Sequence, residues 1–186
     1  RCFGSIYDQT YGFENLEVIF IDDLSTDNTW SILESLQRKY PGNVISLKMQ
    51  KKGKCGGTRN LGMDICSGKY ITFVDADDWV HPDMLKVLHD RMAEDDYDVV
   101  QCGVSCFKEA VPSVSAVNDH EIQMLDLNNV DNRKNLIISL TGFTNVTAWA
   151  KLYSVRFIRE NNLRFMEDIY YEDTYFSMLC VLFAKK

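Results

Sequence analysis

Two runs of β-forming residues each end in a cluster of carboxylates, and this repeated pattern constrains the chain more than any other feature. The run from Glu17 to Ile21 stops at Asp22-Asp23, and that from Tyr70 to Val74 stops at Asp75-Ala76-Asp77-Asp78. A helical pattern follows each. Trp30, Leu33, Leu36 and Tyr40 recur at helical spacing behind the cap cluster Ser25-Thr26-Asp27, and Pro41-Gly42 stops them. Leu85, Leu88 and Met92 follow Pro82, a residue suited to a first helical turn. Between these units, 44–47 reads as a strand and 51–57 as a Gly/Lys-rich loop. Residues 58–66 read as a short helix closed by Gly68, and 98–104 as a fourth strand. The alternation predicts an α/β chain: a mostly parallel, Rossmann-like sheet with helices on both faces. Ligands of such sheets bind beyond the carboxyl ends of the strands, where both acidic clusters fall.

The second half is less regular. Residues 105–131 are polar and read as a loop over the active face. A helix is expected at 132–140, a strand at 148–153, a helix at 154–161 and a last helix at 172–183, with Phe176, Leu179 and Phe183 on its buried face. A length of 186 residues suits a single domain at about 150 residues per domain. A hydrophobic share of 46% excludes a disordered tail. The net charge of −7 argues against a general nucleic-acid binder. Cys2, Cys55, Cys66, Cys102, Cys106 and Cys180 form no C-x-x-C pair, and they read as reduced thiols, mostly buried.

Four constellations carry chemistry. Asp22 and Asp23 in "VIFIDDLSTDNT" stand at a strand end, able to accept from a nucleobase or ribose, or simply to cap the next helix. In "GKYITFVDADDW", three carboxylates in four positions repel unless a cation or solvent relieves them. In extended geometry Asp75 and Asp77 point the same way, so one could hold a ribose hydroxyl and the other a divalent ion. The alternative is a charged turn. "KKGKCGGTRNLG" offers backbone amides and Arg59, which could reach a phosphate or a carboxylate of the second cluster; it lacks the G-K-[ST] of a P-loop. In "IYYEDTYF", Glu172-Asp173 opens a helix, where the dipole favours an ionised carboxylate. His81, His89 and His120 form no zinc pattern.

In order and spacing, "IDDLSTDNT", "GGTRNLG", "GKYITFVDADDW" and "YYED" together resemble the family 2 glycosyltransferases of the GT-A fold, over residues 1–184. "SIYDQTY" is similar to the end of that family's first helix. The resemblance implies a metal-dependent inverting transferase that takes a sugar from a nucleotide-diphosphate sugar, a UDP-sugar above others. Asp23 matches the acid that contacts base or ribose. Asp75 and Asp77 match the D-x-D, with Asp75 near the ribose and Asp77 on Mn²⁺ or Mg²⁺. Arg59 matches the arginine of the A-R-N segment, and Asp173 the general base, with Glu172 supporting it. The nucleotide-sugar half would span about 1–104 and the acceptor half about 105–186.

One departure is Leu24, which stands where the family commonly has glycine; a turn needing φ > 0 there would be strained. Another is the opening Arg1-Cys2-Phe3, which sets the expectation of an apolar strand and a Pro-containing turn upstream. The resemblance is to bacterial polysaccharide-building enzymes, whose acceptors are often glycans or lipid-linked glycans. It implies a cytoplasmic protein with peripheral contact at the inner face of the cell membrane. Lys51, Lys52, Lys54, Lys185 and Lys186 could touch an anionic surface or be ordinary solvated lysines. The rival readings are a sugar nucleotidylyltransferase and a non-catalytic nucleotide-sugar-binding domain.

Overall fold

Strand β1 (Val18–Asp22) pairs in parallel with β2 (Val44–Lys48), from Val18↔Val44 to Asp22↔Lys48. The computed structural model describes residues 1–104, 126–139 and 146–186. Helix α1 (Cys2–Tyr7) precedes this pair, and α2 (Thr29–Lys39) crosses between its strands. Parallel strands need such a crossover, because a tight turn cannot return the chain to the same end. Phe3, Tyr7, Phe13, Phe20 and Tyr40 gather edge-on and tilted where α1 meets β1 and the end of α2.

Helix α3 (Lys54–Ile65) leads to β3 (Tyr70–Ile71), then α4 (Met84–Glu94), β4 (Val99–Gln101), α5 (Val130–Ser139), β5 (Lys151–Ser154), α6 (Val155–Glu160) and α7 (Glu172–Phe183). The second sheet has the order β3-β5-β4, with β5 antiparallel to both neighbours. The α/β class holds, and the parallel expectation holds for β1 and β2. In the second sheet β3 and β4 run in one direction and β5 lies between them in the other. A late strand thus joins the early ones, so residues on either side of position 104 share one sheet.

Alternation along β5 separates its two faces. Tyr153 packs with Met63, Phe157, Phe165 and Phe176, from α3, α6, α7 and the segment before α7. Leu152 packs on the other side with Leu88 and Met92 of α4. Helices therefore cover both faces of this sheet, as expected. Each fully buried side chain of this kind contributes about 1.5–3 kcal/mol.

Several boundaries differ from expectation. Helix α3 starts at Lys54, inside the Gly/Lys-rich stretch, and its C-cap is Cys66 rather than Gly68. Pro82 lies just outside α4, whose N-cap is Asp83. The expected loop at 105–131 falls, up to residue 125, outside the described residues. Of the cysteines, Cys66 and Cys180 are buried free thiols, Cys2 and Cys102 are half-buried, and Cys55 is exposed. Cys106 lies outside the described residues.

Candidate active site

The carboxyl end of β1 turns sharply. Asp22 is fully buried; its Oδ1 accepts from the Ser25 amide at 3.1 Å, and Lys48 Nζ lies 3.7 Å from Oδ2. It holds the turn from beneath the site. Leu24, at φ 59°, does take the left-handed conformation that favours glycine. The Asp23 carboxylate accepts from the Gly53 amide at 2.7 Å and the Lys54 amide at 3.1 Å. Two orphan donors at the start of α3 are thereby satisfied from a strand 30 residues away in sequence.

With its first turn fixed to β1, α3 presents Arg59 and Asn60. Arg59 gathers three distant carboxylates. Nη2 donates to Asp75 Oδ1 at 2.8 Å, and Nη1 donates to Glu172 Oε1 at 2.8 Å and to Asp173 Oδ1. The guanidinium is nearly buried and lies 5.3 Å from the centre of the Phe165 ring, itself stacked on Phe176. Burial works against its charge, but Asp173, Asp75 and Glu172 outweigh it and raise its pKa further. The carboxylate contact is one of the two roles that the sequence left open to Arg59.

Asn60, which sequence reasoning passed over, is buried and binds backbone. Its Nδ2 donates to the Phe165 carbonyl at 3.0 Å and its Oδ1 accepts from the Phe165 amide at 2.9 Å. Gly56 lets the two segments meet, since a Cβ there would sit 2.2 Å from the Met166 carbonyl oxygen. The signal was present in "GGTRN": a helical glycine pair followed by a polar residue with a backbone-like amide. Beyond this contact Lys54 Nζ donates to the Asp168 carbonyl at 2.7 Å and lies over the Tyr170 ring. Asp168 and Tyr171 both take positive φ just before α7. Such strain persists only where its surroundings hold it.

The second acidic cluster is a turn rather than an extended strand. β3 pairing stops at Ile71, with one further bridge at Phe73↔Trp149, and the Asp78 amide donates to the Asp75 carbonyl at 3.0 Å. Asp75 and Asp77 therefore do not share a strand face. Asp75 turns to Arg59, and Asp77 stands exposed at the turn with no ion-pair partner among the described residues. Burial, then Asp77, then Asp75, raise the Asp78 pKa. An all-oxygen donor set with unrelieved negative charge fits a hard divalent cation. Among the described residues no three acidic, His or Cys side chains converge on a ready-made metal cage, so the side chains at this turn would supply only part of an ion's ligands.

At the start of α7, Asp173 Oδ1 meets Arg59 and Oδ2 accepts from the Ala148 amide at 3.1 Å. Burial raises its pKa; Arg59 and the Ala148 amide pull it back, and Glu172 and Asp75 push it up again. Burial, rather than the helix dipole, decides the direction. Each carboxylate oxygen keeps a further lone pair, so neither contact exhausts its capacity to accept.

An α/β fold with one strand-end acid and two acids of a helix start around one arginine matches solved glycosyltransferases of the GT-A fold. TarS 1-349 of Staphylococcus aureus, solved in complex with UDP-GlcNAc, superposes with a TM-score of 0.72 at 23% identity, covering 100% of this chain and 50% of that one. A mannosyltransferase of Pyrobaculum calidifontis, solved with GDP-Man and Mn²⁺, gives a TM-score of 0.66 at 16% identity over 98% and 48%. The family model "Glycosyl transferase family 2" matches residues 1–160, and the chain belongs to that family. It is similar to the uncharacterized glycosyltransferase YibD of Escherichia coli, with 31% identity over 173 residues, 92% of this chain. The chain spans 49% of that relative's length.

Proposed function

We propose that this chain is the catalytic domain of an inverting glycosyltransferase that moves a sugar from a UDP-sugar to a hydroxyl of a glycan or lipid-linked glycan. The observation that carries the reading is the Arg59 hub, which holds the acid ending the second strand unit and the acids opening α7 at one site. About 1–104 would supply the donor side and about 105–186 the acceptor side. Asp23 and Asp75 would contact the nucleoside, Asp22 supporting them from below, with Arg59 fixing the orientation of Asp75. Asp77, with Asp75, would hold Mn²⁺ or Mg²⁺. A divalent ion, when bound, supplies positive charge for the departing diphosphate.

The acceptor oxygen attacks the anomeric carbon from the face opposite the diphosphate. A new C–O bond forms as the sugar–phosphate bond breaks, and the acceptor proton passes to Asp173. Burial raises the Asp173 pKa, and a carboxylate so shifted is a better proton acceptor than an ordinary aspartate. Glu172 shares Arg59 with Asp173 and would keep the guanidinium in place. The same reading puts the enzyme in the cytoplasm, with peripheral contact at the inner membrane face. Among the described residues no helix is long and apolar enough to cross a membrane.

The test is a panel of UDP-, GDP- and dTDP-sugars with Mn²⁺ and acceptor, using full-length protein. Release of nucleotide diphosphate from a UDP-sugar is expected. Asp173→Asn should lower transfer by about 10²–10⁴ while keeping donor affinity. Glu172→Gln should cost less, and Asp77→Asn should weaken donor binding in Mn²⁺. Transfer by Asp173→Asn within a few-fold of wild type would refute the base assignment. Formation of nucleoside triphosphate and sugar 1-phosphate from the nucleotide-sugar when pyrophosphate is added would point to nucleotidyl transfer, and binding without turnover to a binding domain.

A further inference from the structure

Beneath Asp173 the chain at 146–148 is held at three successive carbonyls. Ser177 Oγ donates to the Val146 carbonyl at 2.8 Å, Lys151 Nζ to the Thr147 carbonyl at 2.6 Å, and Tyr153 Oη to the Ala148 carbonyl at 3.0 Å. The Ala148 amide, in the same peptide plane as the Thr147 carbonyl, donates to Asp173 Oδ2. All three donors are buried: Tyr153 is 0% exposed, Ser177 4% and Lys151 6%. Burying a lysine is costly, and an aliphatic side chain would fill the space without that cost. Its ammonium is spent on one backbone carbonyl.

We propose that Lys151, together with Tyr153 and Ser177, is a positioning device that sets the Ala148 amide against Asp173 and so fixes the orientation of that carboxylate for transfer. This rests on Asp173 being the base. Three anchors on consecutive residues leave the peptide plane of Ala148 little freedom to rotate. One oxygen of Asp173 is thereby held by Ala148 and the other by Arg59. The charged and titratable groups facing Lys151 are Cys180 and Asp173 on α7 and Cys102 beyond β4, none of which the proposal requires to titrate.

The test uses the full-length protein with alanine amides labelled with ¹⁵N, comparing wild type, Lys151→Met, Tyr153→Phe and Ser177→Ala. Thermal unfolding confirms that each is folded. In Lys151→Met the Ala148 amide resonance should move and exchange faster with solvent. Misplacing a reacting group by about 1 Å can cost up to 10²-fold, so kcat should fall by about 10-fold or more with the donor KM within about twofold. Tyr153→Phe and Ser177→Ala change no charge and should move the same resonance in lesser degree, which separates positioning from the field of the ammonium. An unmoved Ala148 resonance with unchanged kcat in Lys151→Met would overturn the proposal. Asp173→Asn runs alongside: if it stays active, the base reading fails, and positioning for transfer falls with it. If it is dead while Lys151→Met is unaffected, only the positioning role fails.

Discussion

Leu24 shows how a single residue can be legible in sequence and still act against its own preference. The acidic turn after β1 asks for φ > 0, and Leu24 supplies it at φ 59°. A left-handed conformation costs an L-residue about 1–2 kcal/mol, while glycine costs about 0.5–1 kcal/mol in unfolded-chain entropy. Leu24→Gly should therefore stabilise the protein by up to about 1 kcal/mol, whereas Leu24→Val, β-branched and worse still at positive φ, should lie below wild type. Urea unfolding of the three proteins checks the order, and valine above glycine would show that the Leu24 side chain matters more than its backbone. Arg59 was legible as a chemical group, but not as a hub. Its partners Glu172 and Asp173 lie 113 and 114 residues away, a separation at which local pattern says nothing about contact.

Elements were easier to see where one face is buried and the other wet. Periodicity placed α7 at its observed bounds and brought β1, α2 and β2 within one to two residues. It missed the first turn of α3, expected only from residue 58, because Gly56 and Gly57 resemble a loop until the backbone of Met166 is laid against Gly56. The parallel expectation missed the direction of β5, since a strand buried on both faces carries no mark of its orientation. The glycine pair gives a paired test. Gly56→Ala puts a Cβ 2.2 Å from a backbone oxygen, so α3 or the 165–167 segment must shift. It should destabilise by about 1–3 kcal/mol and, by loosening Arg59 from the α7 acids, lower transfer as well. At Gly57 the added Cβ meets only the Met49 methyl at 3.7 Å. Gly57→Ala should be neutral or stabilise by up to about 1 kcal/mol through helix propensity. Thermal unfolding and transfer rates of both variants check this, and equal penalties would mean that the close approach of α3 to Met166 is unimportant.

At the scale of the whole molecule, two buried ionisable groups tie global stability to pH in opposite directions. Burial drives the Asp173 pKa up, so its contribution is fully present below the ordinary carboxylate pKa and is lost as pH rises through the folded value. Burial drives the Lys151 pKa down from 10.5 to about 8, with Cys180, Asp173 and Cys102 opposing it. A depressed lysine contributes stability that is fully present above the unfolded value of 10.5 and is lost as pH falls through about 8. Between these limits the unfolded chain binds one proton more than the native one, so stability should climb with pH by about 1.4 kcal/mol per unit. Over the window this amounts to about 3 kcal/mol, carried by one side chain. Tyrosines, cysteines and other lysines titrate in the same range, so the difference between wild type and Lys151→Met isolates it. Urea unfolding at half-unit steps from pH 7 to 10.5 should show wild type gaining on the variant as pH rises. Parallel curves would mean that Lys151 is as free to ionise as in the unfolded chain, and that no cost of burial has to be weighed against its grip on the Thr147 carbonyl.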